Sequence, residues 1–466
     1  MYKQKQKKSN QKGVTLIALV VTVIILIILA GVSITMVVGE NGILTRASDA
    51  KIETAVAAVK ENLHLDQIEK TMNEEELTAE TLLAEGKVKR TVQKAEDENY
   101  YMYYTLQEDA VGGMQGLGKG NVASLRDVFL IDDDLNVKYI ASNGKEYGDN
   151  IEEKILEDET DIRFSSEAFS EFVSNIAGTE EDEMKFKWMK NLKELTIDDP
   201  AIDSLQDLVF FPNLEKLILG NAGNASKAPE ITTMDGIENC TKLTVLCIYY
   251  GPDKDYKALG RMENLTDFRR YTGNDFNQII DGLKLCENLE QVWLSAVNID
   301  NMKRIGELNN DIEVLNLSSN NITKIEGIED FTNLKTLYLN NNNITDITPL
   351  SLNTSLMLLT LMKNSGIDGD RLNYTGERLE ALNKIGEILD RGGRIYLDAD
   401  KIGLFNNYNS LQLTGQNLTT LDILDGMTNL KTLMLDSNKI TLDDEKSQEI
   451  LKSMVNLTYL IFPTTN

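Results

Sequence analysis

Four aromatic residues and one arginine recur at equivalent places in neighbouring segments and could together bind a ligand: Tyr249, Arg269, Tyr271, Trp293 and Tyr338. Each follows the first apolar residue of a segment resembling LxxLxL by four or six places. On a β-strand, such residues point away from the leucines. Aromatic residues and arginine are enriched in binding hot spots, so we predict a surface for a protein or a glycan. The alternative is an ordinary soluble face, because single exposed apolar residues are common.

The chain offers little material for catalysis or metal binding. It has one histidine and three cysteines among 466 residues, and no nucleophile–base motif can be assembled from them. Cys240 and Cys286 fall in a position that elsewhere holds methionine or phenylalanine, so we predict two core residues. Three aspartate groups do not fit the calcium-loop pattern and are interpreted as solvated turns: 132–134, 368 with 370, and 398 with 400. We therefore expect neither enzyme activity, nor a cofactor, nor a metal.

The segments that carry the candidate residues belong to a repeat. Five positions within 312–322 recur 22 residues later within 334–344. The matching residues are Ile312, Leu315, Leu317, Asn320 and Ile322, followed by Leu334, Leu337, Leu339, Asn342 and Ile344. A period of this length is typical of a solenoid whose neighbouring coils close a shared core. The pattern resembles the leucine-rich repeat family, in the 22-residue form found in bacterial internalins. This resemblance implies a curved solenoid over 191–466, with a parallel β-sheet on its concave face.

Aligning the repeats predicts eleven strands in one ladder about 50 Å long. Their first apolar positions are Leu192, Leu214, Leu243, Leu265, Leu289, Ile312, Leu334, Leu356, Tyr408, Leu430 and Leu457. The register between 368 and 407 stays open, because a helical pattern at 378–392 and a further strand at 395–397 fall there. The asparagines of one turn position are predicted to bond the backbone of adjacent coils: Asn320, Asn342, Asn364 and Asn438. Before the repeats, 151–190 is predicted to be an acidic linker with a capping helix over 164–176.

The amino-terminal residues predict a membrane anchor. Residues 1–13 are basic, and 14–38 carry no charge. At 1.5 Å per residue, this uncharged segment spans roughly 37 Å as a helix, enough to cross a bilayer with some tilt. The basic end should stay in the cytoplasm, so the rest of the chain would lie outside the cell. The sequence therefore predicts a single-pass membrane protein. Two interpretations of the segment are possible, and the first is an uncleaved signal anchor.

The second interpretation is a pilin-type leader. Lys12, Gly13 and the apolar run after them resemble the leader of type IV pilins and pseudopilins. The resemblance implies cleavage after Gly13 by a prepilin peptidase, methylation of Val14, and assembly with other pilin-like subunits. The family usually has phenylalanine where this chain has Val14 and glutamate where it has Ala18. In the family that glutamate helps each subunit dock against its neighbour. Its absence here argues against a major filament subunit and favours a minor or tip subunit. Residues 39–150 would then form a pilin-like helix and a small antiparallel sheet, with strands near 99–106, 127–131 and 136–140.

Charge limits the possible partners. The net charge is -27, which would repel phosphates and argues against nucleic acid. The sequence therefore predicts an α/β protein with a membrane-spanning pilin-like helix, a small α+β region and a leucine-rich repeat solenoid. It would act as an adhesin or minor pilus subunit on the surface of a Gram-positive bacterium. The alternative is a structural minor pseudopilin of a secretion or pilus machine, whose repeats contact other subunits.

Overall fold

A computed structural model describes residues 43–120, 124–180, 183–299 and 301–463. The predicted leader (1–13), with Gly13, and the membrane segment (14–38), with Val14 and Ala18, lie outside these residues. No helix within the described ranges is both long and apolar enough to cross a membrane. The described chain forms two compact units. The first comprises residues up to Arg90 together with Tyr103–Glu153, and the second comprises Thr91–Met102 together with residues from Lys154 onward.

The first unit combines a long helix with antiparallel strands. Its elements are α1 (Ile43–Met72), α2 (Ala79–Ala84), the start of β1 (Val88–Lys94), the end of β2 (Tyr100–Leu106), then β3 (Val128–Ile131), β4 (Val137–Ile140) and β5 (Glu146–Gly148). The end of β2, β3, β4 and β5 pair in this order, all antiparallel. Ile52, Val56, Val59 and Leu63 are buried on one side of α1, because a helix brings residues three or four apart onto one face. The helix and three of these strands agree with the sequence pattern.

Asp132 closes a turn between β3 and β4. Its carboxylate accepts hydrogen bonds from the backbone N–H groups of Asp134 (3.1 Å), Asn136 (2.9 Å) and Glu152 (3.0 Å). A carboxylate that accepts several backbone N–H bonds is already satisfied within the protein. Asp132 therefore has a structural role in this turn.

The second unit begins with a cap. β6 (Lys154–Leu156) pairs antiparallel with the start of β2, and α3 (Glu167–Ala177) and α4 (Phe186–Asn191) follow. The Ser166 hydroxyl accepts a hydrogen bond from Phe169 N–H at the start of α3, and Gly178 ends the helix with φ 67°. Phe169 packs on Phe211 of the first coil, with ring centroids 6.2 Å apart. The helix thus covers the apolar end of the solenoid, as a cap must.

In the part of the chain that the structure describes, the solenoid contributes twelve short strands. They are β7 (Glu194–Ile197), β8 (Lys216–Leu219), β9 (Val245–Ile248), β10 (Asp267–Tyr271), β11 (Gln291–Ser295), β12 (Val314–Asn316), β13 (Thr336–Tyr338), β14 (Leu358–Thr360), β15 (Arg394–Tyr396), β16 (Ser410–Gln412), β17 (Thr432–Met434) and β18 (Tyr459–Ile461). Strands β7 to β15 form one sheet in sequential order, and β16 to β18 form another. The pairs are parallel throughout. The leucines at the first, fourth and sixth places of the segments fill one continuous core.

The prediction of one eleven-strand ladder is wrong in two respects. The strand near 395–397 exists as β15 and pairs with β14, so the sheet gains a strand. The ladder then breaks, because β15 and β16 belong to different sheets. β16 starts at Ser410, 16 residues after the start of β15, whereas β13 starts 22 residues after β12. A coil shortened by about six residues does not bring its strand into register with the one before it.

Helices and asparagines complete the coils. The α-helices are α5 (Phe276–Leu283), α6 (Glu377–Asp390) and α7 (Glu445–Ser453), and several connections contain 3-10 turns such as Met302–Glu307.

The predicted asparagine ladder is confirmed. In Asn342, the side-chain amide donates to the carbonyls of Leu317 and Leu339 (both 3.0 Å), and its oxygen accepts from the N–H groups of Asn320 and Ile322 (both 3.0 Å). Asn320, Asn364 and Asn438 bond the backbone in the same way.

Candidate binding site on the concave face

The residues that point out of the large sheet form parallel rows across it. The middle row holds the fifth residue of each segment, in the order Thr196, Ile218, Cys247, Arg269, Trp293, Asn316, Tyr338, Thr360 and Tyr396. Tyr249 and Tyr271 come two residues after Cys247 and Arg269, so they lie in the adjacent row on the same face. The register thus brings all five predicted residues together on neighbouring coils.

Four of these residues form a continuous chain of rings, which we call the aromatic band: Tyr249, Tyr271, Trp293 and Tyr338. Tyr249 and Tyr271 are stacked, with centroids 5.1 Å apart and planes 11° apart. Trp293 lies 6.5 Å from Tyr271 and 5.6 Å from Tyr338 between centroids, with tilted planes. Each ring is partly buried and partly accessible. The band crosses four strand spacings, a length of about 19 Å.

Arg269 is held in place beside the band. Its Nε and Nη2 atoms donate to the two carboxylate oxygens of Asp267, at 2.9 and 2.6 Å. This pairing, with the hydrogen bond as the main cause, raises the pKa of Arg269 above its ordinary value. The guanidinium carbon also lies 5.1 Å from the centre of the Trp293 ring, a cation–π contact. A bidentate pair fixes the guanidinium plane, so Arg269 is presented in one orientation.

Small residues beneath the rings are shielded from solvent. Cys247 and Asn316 are 6% and 8% exposed, although both belong to the outward-facing row. Burial raises the pKa of the Cys247 thiol, which makes it a packed residue and not a reactive one. The indole Nε1 of Trp293 is also buried, without an acceptor in the described part of the chain. Such a donor is costly to desolvate, and orphaned polar groups are uncommon in native structures.

The row also contains an aromatic residue that sequence reasoning missed. Tyr396 follows Thr360 in the middle row, but the open register between 368 and 407 hid its position. Its side chain is half-buried. Trp293 and Tyr338 are in ring contact across Asn316, whereas no ring contact across Thr360 joins Tyr338 to Tyr396 within the described residues. The aromatic band therefore ends at Tyr338, and Tyr396 provides a chemically matched residue outside it.

A buried ionic cluster beside the band also escaped the sequence analysis. Arg270 pairs with Ile248 and Leu294 in the ladder, so it occupies the core position that holds leucine or isoleucine in the flanking coils. Three residues after Ile248 and Arg270, the chain has Gly251 and Gly273 at the position where later coils have the ladder asparagine. A Cβ atom on Gly273 would lie 2.6 Å from Arg270 Nη2, so glycine leaves room for the guanidinium. These paired departures from the repeat were the available signal.

We define the ionic cluster as Lys254, Tyr256, Arg270 and Asp275, all nearly inaccessible to solvent. Asp275 accepts hydrogen bonds from Arg270 Nε (3.3 Å), the Tyr256 hydroxyl (2.8 Å) and the Lys254 N–H (3.2 Å). Lys254 Nζ donates to the carbonyls of Ile231 and Pro252. The Arg270 guanidinium thus pairs with the Asp275 carboxylate, whereas the Lys254 ammonium is held by backbone carbonyls. In this low-dielectric environment an unpaired charge is costly.

This environment predicts a specific pH dependence of stability. Burial, then the charge of Arg270, lowers the pKa of Lys254 to about 8, whereas an unfolded lysine titrates near 10.4. Between these values the unfolded chain binds more protons, so the free energy of unfolding rises with pH by about 2 kcal/mol from pH 8 to pH 10. Well below pH 8, Lys254 is protonated in both the folded and the unfolded protein, so its effect on the free energy of unfolding does not change with pH. Urea unfolding followed by tryptophan fluorescence would measure this, since Trp188 and Trp293 both belong to the second unit.

The control is Lys254→Met, which keeps the aliphatic stem and removes the titrating group. We expect its stability to lack the Lys254-dependent rise, whereas the other titrating groups affect both proteins alike. If the two proteins show the same pH dependence, Lys254 does not carry a depressed pKa.

The cysteines and aspartates that the sequence analysis considered for thiol or metal chemistry have structural roles. Cys240 and Cys286 are buried free thiols, as predicted for core positions. Asp398 accepts from Lys363 N–H through both oxygens, and Asp368 from Asp370 N–H. Across the described ranges, no group of three or more histidine, cysteine or acidic residues is arranged to hold a metal ion.

Comparison with known families agrees with the coil geometry. Residues 311–352 match a family model described as Leucine Rich repeats (2 copies). The second unit contains leucine-rich repeats. The matched residues include β12 and β13 and the turn that carries Asn320, where the 22-residue period is most regular. No curated protein matches the chain.

Three solved structures of bacterial proteins match part of this chain. An internalin (InlF) of Listeria monocytogenes strain 4b F2365 is 19% identical with a TM-score of 0.39, over 65% of this chain and 96% of that one. Internalin C2 of the same strain is 18% identical with a TM-score of 0.26, over 65% and 94%. A leucine-rich repeat protein of Leptospira interrogans is 18% identical with a TM-score of 0.37, over 60% and 79%.

Proposed function

We propose that this protein is a membrane-anchored surface protein whose aromatic band binds a protein partner, as an adhesin or a minor pilus subunit. The observation that carries the binding half is the unbroken chain of four partly accessible rings across neighbouring coils, with Arg269 held beside Trp293. Tyrosine, tryptophan and arginine are the residues in which interface binding energy concentrates.

The shape and charge of the surface favour a protein. A band about 19 Å long on a regular sheet matches the central part of a standard protein interface rather than an enclosed pocket. The rings and the guanidinium are already oriented by their neighbours, so little side-chain freedom is lost on binding. The chain carries a net charge of -27, which favours a partner with a basic surface around the contact.

Binding should depend on the centre of the band. We expect the double variant Tyr271→Ala with Trp293→Ala to bind its partner at least about 100-fold more weakly, because truncating two hot-spot aromatics costs about 3 kcal/mol. The full-length protein, in lipid nanodiscs, would be tested against an array of purified cell-surface proteins and pilin-like subunits. Dissociation constants would then be measured for each protein that binds.

The matched control is Tyr396→Ala, which removes the same kind of ring from the same row outside the band. Its affinity should stay within about threefold of the wild type. Equal binding by the double variant and the wild type would remove the band from the proposal. Binding to pilin-like subunits alone would favour the alternative, a structural minor pseudopilin.

The anchoring half rests on sequence outside the described residues, namely the basic leader, Gly13 and the uncharged segment 14–38. It is tested by the mass of the amino-terminal peptide of the protein isolated from native membranes or from a sheared surface fraction. We expect a peptide that begins at N-methylated Val14. A peptide that begins at Met1 would rule out pilin-type processing and leave a signal-anchored receptor.

A further inference from the structure

A second concave feature lies where strands β9 to β12 end. It is a groove of about 650 Å³, within the range of ligand-binding pockets. One wall is the loop Tyr250–Asp253, and the remainder is formed by Thr272–Asn274 and by turn residues that include Asn298, Ser319 and Asn321. We call this feature the rim groove. It does not include the ring-bearing residues of the aromatic band.

The wall of the rim groove is fixed from within by the ionic cluster. The buried guanidinium of Arg270 donates to the carbonyls of Tyr250 (3.2 Å), Gly251 (3.5 Å) and Pro252 (3.4 Å). On the outside, Asp253 accepts a hydrogen bond from Asn274 N–H at 2.8 Å. The loops of most other coils form without a buried charge. Buried charges add little net stability to a protein, so stability alone does not account for those of the ionic cluster. Here they hold a protruding loop in one conformation, and a preorganised wall lowers the entropic cost of binding.

The lining has the chemistry of a site for a neutral, hydroxyl-rich ligand. Asn274, Asn298 and Asn321 are exposed, and their side-chain amides make no hydrogen bond within the described ranges. Each amide offers two donors and an acceptor, which match hydroxyl groups that both donate and accept. Thr272 and Ser319 add hydroxyls, and Asp253 is the only charged residue among the described residues of the lining. Since none of these lining residues is a lysine or an arginine, a phosphate or a sulfate would meet a carboxylate without a compensating cation from them.

From these observations we infer that the rim groove binds a neutral saccharide. The sugar hydroxyls would pair with the asparagine amides and with Asp253, and the apolar face of the ring would lie against Tyr250, whose side chain is half-buried. This site is independent of protein binding by the aromatic band. The two sites could serve one glycosylated partner, but neither requires the other.

The test uses the full-length protein in lipid nanodiscs, which avoids detergents with sugar head groups. Saturation-transfer NMR would screen neutral methyl glycosides and disaccharides of glucose, galactose, mannose and N-acetylglucosamine, with sialyllactose and glucose 6-phosphate as anionic probes. Titration would give dissociation constants for the sugars that bind. We expect at least one neutral sugar to bind, and the double variant Asn298→Gly with Asn321→Gly to bind it at least tenfold more weakly.

Glycine is chosen because both asparagines have positive φ, 59° and 57°, where glycine removes the side chain without backbone strain. Asn417→Gly is the matched control, since Asn417 has φ 58° and takes the same turn position in the small sheet. It should bind the sugar as the wild type does. The inference is overturned if no neutral sugar binds, if the anionic probes bind in preference, or if Asn417→Gly loses affinity equally. It is also overturned if only Tyr271→Ala with Trp293→Ala abolishes sugar binding.

Discussion

Replacing Asp275 by asparagine should lower the free energy of unfolding of the second unit by about 3–5 kcal/mol, the cost of breaking a buried ion pair. The substitution keeps the size of the side chain but leaves Arg270 buried without its carboxylate partner. It also removes a negative charge that favours the Lys254 ammonium. Arg270 and Asp275 are both 0% exposed, with Nη2 and Oδ2 3.2 Å apart. Water therefore cannot solvate the Arg270 guanidinium when its carboxylate partner is removed. Urea unfolding followed by tryptophan fluorescence reports this unit, which contains both tryptophans.

Asp253→Asn is the matched control, since Asp253 is exposed and its replacement can still accept from Asn274 N–H. We expect it to change stability by less than about 0.5 kcal/mol. Adding Lys254→Met to Asp275→Asn should recover part of the loss, because one uncompensated cation is removed. Equal stabilities of Asp275→Asn and Asp253→Asn would show that the ionic cluster is not a buried, coupled unit.

Asn342→Ala should destabilise the same unit by about 3 kcal/mol. Its amide serves four backbone groups of two neighbouring coils at 3.0 Å, and each buried group left unpaired costs about 1 kcal/mol or more. Because each coil of a solenoid is stabilised by its neighbours, the damage should extend to the coils on both sides. Fluorescence-detected urea unfolding would measure the loss, and hydrogen exchange would locate it around β12 to β14.

The comparison variant is Asn343→Ala, one residue further along the chain and exposed. Within the described ranges its side chain makes no hydrogen bond; its backbone N–H donates to Ile322 O, and alanine retains that bond. Its stability should be within about 0.5 kcal/mol of the wild type. If the two variants are equally stable, the asparagine ladder contributes no more than an ordinary surface turn.

Part of this architecture could be predicted because the repeat is strict. A 22-residue period of leucines determines which residues enter the core, and strand alternation then assigns the opposite face, so the position of Trp293 followed from that of Leu289. The asparagine ladder was equally readable, because a polar residue at one buried turn position needs backbone partners. Both inferences depend only on local periodicity.

What escaped prediction depends on departures from that period. Arg270 is informative only when its leucine position is read together with Gly273, since the arginine needs the space that glycine leaves. The break between β15 and β16 depends on coil length in a region without a clear register. The stacking of Tyr249 on Tyr271 and the desolvation of Trp293 Nε1 depend on packing against neighbours, which a sequence pattern does not encode.

The central claim is that a partner protein contacts the aromatic band. Hydroxyl-radical footprinting of the full-length protein tests it most directly, with and without a protein that binds in the array experiment. We predict that oxidation of Tyr271, Trp293 and Tyr338 falls several-fold in the complex, whereas Tyr396 and Trp188 react as before. Unchanged oxidation of the band in a complex that is demonstrably formed would contradict the claim and place the binding surface elsewhere on the protein.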